Sequence, residues 1–239
     1  MRIQFTNLTK ARPVSQSELA QFITAFALQV RQDFAPAWGL SPVTILAATT
    51  APDPSAFEIA LVDTSDVPRA LGCHDKDGQG KPRGFVFVKT CEDDGEDWRT
   101  CASHEGLELI GDRFCATWVL AGDGKMRAFE MCDAVEGDKY MKAGVPVSNF
   151  LLPPYFSDAR IVGARSDFLN RLQGAPAPAM SPGGYDIVID TQGDPSQEFA
   201  KVQAVHASLP QRKQHELSRT SRRVAQAAKM LNANRVLHP

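Results

Sequence analysis

The 239-residue chain lacks a CxxC pair and a glycine-rich phosphate loop, so a thiolate zinc knuckle and a P-loop nucleotide enzyme are excluded. It also lacks any apolar run of the about 18 residues that a membrane-spanning helix needs. The opening MRIQFTNLTKARPVSQ has no apolar core of the kind a signal peptide carries, so a cytoplasmic location is expected. Cysteine is scarce and odd in number, with Cys73, Cys91, Cys101, Cys115 and Cys132. Such a set does not make a disulfide framework, and reduced, packed thiols are expected. Net charge is small, −2 from 26 Lys+Arg against 28 Asp+Glu.

What is present is an ordinary globular composition, 43% hydrophobic and 23% charged, with enough apolar material for a sizeable core. The small net charge hides an asymmetry. Residues 209–239 hold seven basic side chains (Arg212, Lys213, Arg219, Arg222, Arg223, Lys229, Arg235) against Glu216, a balance of +6, which leaves −8 on the rest of the chain. An acidic body with a basic tail is a pattern of interaction surfaces. Val224, Ala227, Ala228 and Leu231 form an apolar stripe among those basic residues. A helix of that kind can contact nucleic acid, an acidic partner, or the acidic body itself.

Along the chain, a turn-like start precedes an amphipathic helix over residues 15–34, capped by Ser15 or Ser17 and ended by Pro36. Residues 43–48 and 57–62 read as strands, 72–82 as a glycine and aspartate loop, and 84–90 as a strongly β-prone strand. An acidic cluster at 92–97 then leads into a helix over 98–110, with Gly111 placed to stop it. Residues 114–120 and 126–132 are expected as strands, and 145–152 as extended or irregular chain. Residues 173–184 (QGAPAPAMSPGG) are expected as a flexible connection, 185–190 as a short strand, and 198–234 as mostly helical.

The chemistry concentrates in Cys101-Ala-Ser-His104-Glu105-Gly-Leu-Glu108. On a helix, residues four apart lie on one face a turn apart, so His104 and Glu108 can meet at one metal ion. Glu105 is turned by about 100° from His104, where its carboxylate can reach a water on that metal. This is the logic of HExxH with the second histidine replaced by a carboxylate, which zinc also accepts. Glu130 and Asp133, in FEMCDAVEGD, are the candidates for a third ligand. If 126–132 is a strand with Phe129 and Met131 buried, Glu130 faces the opposite way, towards the site. His74, in the 72–82 loop, is a further candidate as ligand or transition-state donor, and Asp112 as an acceptor that orients His104. Asp75-Lys-Asp77-Gly78 starts like a calcium loop, but the twelfth position is Val86 rather than Glu. Cys101, one turn before His104, leaves a cysteine nucleophile as a poorer option.

The order helix, two strands, a third β-prone strand and then the HExxE helix resembles the N-terminal half of zincin metalloproteases over about residues 15–112. The stretches LGCHDKDGQGKPRGFVFV, ASHEGLELIGD, FEMCDAVEGDKY and VSNFLLPPYF are similar to a zincin-like family of mostly uncharacterised bacterial and phage proteins that carry HExxE. The resemblance implies His104 and Glu108 as ligands of zinc or another divalent metal and Glu105 as general base. It also implies that the strand over 84–90 lies along the cleft rim, where a peptide or protein substrate can pair with it. The longer metzincin pattern would put a third histidine where Phe114 stands, so that subgroup is excluded.

These readings converge on an α+β fold: a zincin-like metal-site domain over 1–172, a flexible connection over 173–184, and a short strand with a basic helical tail over 185–239. The expected function is a zinc-dependent hydrolase of peptide bonds. The alternative is a catalytically inactive interaction protein of a phage or mobile element, whose tail binds an acidic partner or nucleic acid.

Overall fold

The computed structural model describes residues 1–48, 53–65 and 70–200. The basic tail, and most of the helix expected over 198–234, lie outside the described residues. The fold is α+β and has a mixed sheet with few helices. Among the described residues no helix is long and apolar enough to cross a membrane.

The chain opens with a strand, β1 (Arg2–Asn7), where the sequence suggested a turn. Ile3 and Phe5 are fully buried, but Gln4 and Thr6 are buried as well, so the alternation that marks a half-buried strand is missing. β1 lies between β2 (Thr44–Ala48) and β3 (Phe57–Val62), parallel to both. β3 pairs in parallel with β5 (Pro82–Phe87), and β4 (Gly72–Lys76) closes that edge antiparallel to β5. The sheet order is β2-β1-β3-β5-β4. Two expectations change here. The supposed glycine and aspartate loop contains the edge strand β4, and the β-prone segment forms an inner strand that ends at Phe87 and turns into α3 (Val88–Asp93).

Helix α1 (Gln16–Gln29) starts at Ser15, whose side chain accepts from Glu18 N while the Glu18 carboxylate accepts from Ser15 N, a reciprocal cap. Its buried face, with Leu19, Phe22, Ala25 and Phe26, packs on the sheet. The Phe5 ring stands edge-on to Phe22 with centroids 4.9 Å apart, and Trp98 lies 5.5 Å from Phe22. Each such burial stabilises by about 1.5–3 kcal/mol. Pro36 does not end the helical stretch. A π-helical turn over Val30–Phe34 leads into α2 (Ala35–Trp38), where Pro36 sits in the first turn and its missing N–H goes unneeded. Gly39 stops it, in the left-handed conformation at φ 61°.

Helix α4 (Trp98–Gly111) begins at Asp97, whose carboxylate accepts from Arg99 N. It packs against β4, β5 and a hairpin of β8 (Lys139–Lys142) and β9 (Val145–Ser148). Gly106 lets it approach α1, since a Cβ there would lie 2.4 Å from Phe26 Cζ.

A second, antiparallel sheet runs β11-β10-β7-β6, from β6 (Trp118–Leu120), β7 (Met126–Ala128), β10 (Tyr185–Ile189) and β11 (Pro195–Phe199). The two strands expected over 114–120 and 126–132 are therefore shorter, and Glu198 and Phe199 are in a strand rather than a helix. Residues 173–184, read from sequence as a flexible connection, are tied to the body. Ala177 N donates to Tyr155 O and Ser181 N to Ala134 O, both at 2.9 Å. All five cysteines are free.

Candidate metal centre

α4 presents a side chain to the interior along most of its length, including the charged ones. His104, Glu105 and Glu108 are 8%, 5% and 1% exposed. Burying charged groups to this degree is costly unless they find partners of opposite charge. Their partners come from two directions.

From the chain after β7 comes Asp133, at the head of a 3₁₀ turn over Asp133–Val135. His104 Nε2 lies 3.1 Å from Glu108 Oε1 and 3.2 Å from Asp133 Oδ1. Burial lowers the His104 pKa, but Glu108 and Asp133 outweigh it, and the imidazole is held well above its usual value. Burial raises the Glu108 carboxyl in turn. His104 and then His74 overcome that and hold it well below the usual carboxylate range.

From β4 comes His74, 1% exposed. Its Nδ1 lies 3.3 Å from Glu105 Oε2 and 3.2 Å from Glu108 Oε2, and its Nε2 lies 3.6 Å from Glu130 Oε2. Cys115 Sγ donates to the His74 carbonyl at 3.7 Å. Gly72, two residues before His74, leaves room for the base candidate, since a Cβ there would stand 2.6 Å from Glu105 Oε1.

All six residues singled out in the sequence, His74, His104, Glu105, Glu108, Glu130 and Asp133, therefore belong to one buried cluster. Their division was not foreseen. Asp133 stands beside His104, whereas Glu130 stands beside His74. Glu130 is not on a strand, because β7 ends at Ala128; its side chain is 4% exposed, and Phe129 N donates to Thr117 O at 3.0 Å to hold the segment. Asp112 does not orient His104. Its Oδ2 accepts from Ala116 N and Thr117 N at 2.9 and 2.8 Å and so fixes the turn after α4.

Sequence reasoning missed Cys132, which forms a possible ligand group with His104 and Glu108, their donor atoms all within 4.8 Å. Burial and Glu108 push its thiol well above the usual value against the pull of His104. Its place beside Asp133 was the available signal. A second such group consists of His74, Glu105 and Glu108. The donors are imidazole nitrogen and carboxylate oxygen with a thiol nearby, a set suited to zinc and other divalent transition ions. An apolar groove of about 730 Å³ between α1, α2 and β2 touches none of these residues.

No protein-family model matches the chain, and neither a curated protein nor a solved structure does.

Proposed function

We propose that this chain is a zincin-like metallohydrolase acting on peptide bonds, with His104, Glu108 and Asp133 holding a divalent ion, zinc in the first instance. The observation that carries this reading is the position of His104 Nε2, 3.1 Å from Glu108 Oε1 and 3.2 Å from Asp133 Oδ1 in a buried site. Four parallel strands with an antiparallel edge strand against the same helix support it, because β4 is placed to pair with an extended substrate. That role passes to β4 from the inner strand β5.

A bound ion supplies Lewis acidity, lowering the pKa of water and polarising a carbonyl. Glu105 takes the proton of the attacking water on its carboxylate and returns it to the leaving amine. His74 Nδ1, 3.3 Å from Glu105 Oε2, positions that carboxylate, and Gly72 gives it space. One histidine with two carboxylates brings two negative charges to the ion, more than a two-histidine site does. Slower turnover than in a two-histidine centre follows.

The test is elemental analysis of protein purified without a metal-affinity tag. At least one divalent ion per chain is expected in wild type, with fewer bound in His104→Ala and Glu108→Ala while circular dichroism stays unchanged. Cleavage of a peptide library should then vanish in Glu105→Gln. No metal in wild type after zinc is added back overturns the reading. Metal without cleavage leaves a non-catalytic zincin-like protein.

A further inference from the structure

Glu108 faces both histidines, with a different oxygen towards each. Oε1 lies 3.1 Å from His104 Nε2, and Oε2 lies 3.2 Å from His74 Nδ1. A carboxylate between two nitrogen donors is the bridging element of two-metal sites, whose ions stand about 3.5–4 Å apart. Glu105 Oε2 completes the second set at 3.3 Å from the same His74 nitrogen. We infer that His74, Glu105 and Glu108 form a second divalent-cation site, sharing Glu108 with the first.

Three observations carry it. The spacing is that of ligands around one ion. Donors at about 2.0–2.1 Å from tetrahedral zinc stand about 3.3 Å apart, and the two His74 Nδ1 separations are 3.2 and 3.3 Å. The polarity is right as well. A neutral imidazole has one N–H and one lone pair, and two carboxylate oxygens converge on Nδ1 while a third, from Glu130, lies nearest Nε2. Positive charge belongs among Nδ1 and its two oxygens, as a proton or as a metal ion. The charge count of these six side chains favours the metal. Glu105, Glu108, Glu130 and Asp133 bring four negative charges when ionised. With neutral imidazoles one divalent ion leaves two of them unbalanced, one ion together with a proton on His74 leaves one, and two ions leave none. Burial makes that difference expensive, since all four are 5% exposed or less.

The inference rests on the hydrolase reading for its first site and adds a consequence to it. An ion on Glu105 Oε2 takes that carboxylate out of proton transfer, so the two-ion form is the resting form and the one-ion form the working one. The donor set suits zinc, cobalt or manganese rather than calcium, which takes oxygen ligands.

The experiment is equilibrium titration of the chelator-stripped full chain with Zn²⁺, followed by Co²⁺ with electron paramagnetic resonance. Two equivalents are expected for wild type and one for His74→Gln, with circular dichroism as the check on folding. The cobalt signal at two equivalents should fall short of twice that at one, because the bridged spins couple. That readout needs no variant. A single equivalent in wild type overturns the second site; if His104→Ala then abolishes it and His74→Gln keeps it, the first site stands. No equivalents at all removes both. Two equivalents with strictly additive cobalt signals overturn the shared carboxylate.

Discussion

The protein buries charge in two places, and the two are built on opposite plans. Around α4, two histidines sit among four carboxylates. Across the second sheet, Arg127, 1% exposed, lies on β7 with Nη1 3.2 Å from Asp186 Oδ2 and 3.3 Å from Glu198 Oε2, and Nη2 2.5 Å from Asp123 Oδ2. Tyr155 OH donates to Asp186 Oδ2 at 3.1 Å, and Lys125 pairs with Glu198. A guanidinium keeps its charge at any pH the fold survives, so the Arg127 cluster carries its own permanent cation. An imidazole can give up its proton, even where carboxylates raise its pKa as they do at His104. The α4 cluster therefore has positive charge only on loan from protons, and the metal ion proposed for it would be the lasting substitute. The Arg127 arrangement suits a structural joint; the α4 arrangement suits a site that exchanges protons and ions.

Removing Arg127 should have the largest effect. Arg127→Met leaves the buried Asp186 carboxylate without its cation and should cost about 3–5 kcal/mol in urea denaturation. His104→Ala in chelated protein should cost less, since its carboxylate neighbours can bind protons instead. Equal losses would erase the distinction between the clusters.

The pH dependence of stability should separate them next. Burial pushes the Asp186 carboxyl up from 3.8 to about 6, despite Arg127 and Tyr155. The folded state thus holds that proton more tightly than the unfolded one. Its contribution is complete below pH 3.8 and is lost as pH rises through about 6, a change of about 3 kcal/mol. His104 is also raised, by Glu108 and Asp133 against burial, so its contribution is lost above its ordinary 6.5 as pH climbs through the higher folded value. In chelated protein, difference curves of wild type against Asp186→Asn should fall in the lower window, and against His104→Gln in the upper. Zinc should reverse the slope of the upper window alone, because metal and proton compete for the same nitrogen. A lower window that responds to zinc would break the comparison.

The smallest effect is expected at Gly72→Ala. The added methyl would stand 2.6 Å from Glu105 Oε1 and 2.7 Å from its Cγ, so this one side chain must swing aside, a loss of about 1 kcal/mol, at the low end for overpacking. Metal titration should show the His104 ion kept and the His74 ion weakened. Unchanged binding at both would mean that Glu105 does not depend on the space beside β4.

Much of the α4 cluster was legible in the sequence because His104 and Glu108 sit four apart on one helix, and helical spacing alone puts them on a common face. Glu130 and Asp133 were visible as nearby carboxylates, yet which of them meets which histidine was not. That depends on β7 ending at Ala128 and on the turn over Asp133–Val135, both set by packing. The Arg127 cluster left no signal. Asp123 is four residues away, but Asp186 and Glu198 are 59 and 71 residues on and reach Arg127 only because β10 pairs with both β7 and β11.

By itself, then, the sequence determined helix α1 with its reciprocal cap and periodicity, the apolar strands β3 and β5, and the face of α4 that carries His104 and Glu108, all of which depend on interactions between near neighbours. Only the tertiary structure decided that β1 is a strand, that His74 lies on an edge strand, and that one carboxylate serves two histidines. Each of those depends on residues far apart in the chain, whose meeting is set by sheet order and burial.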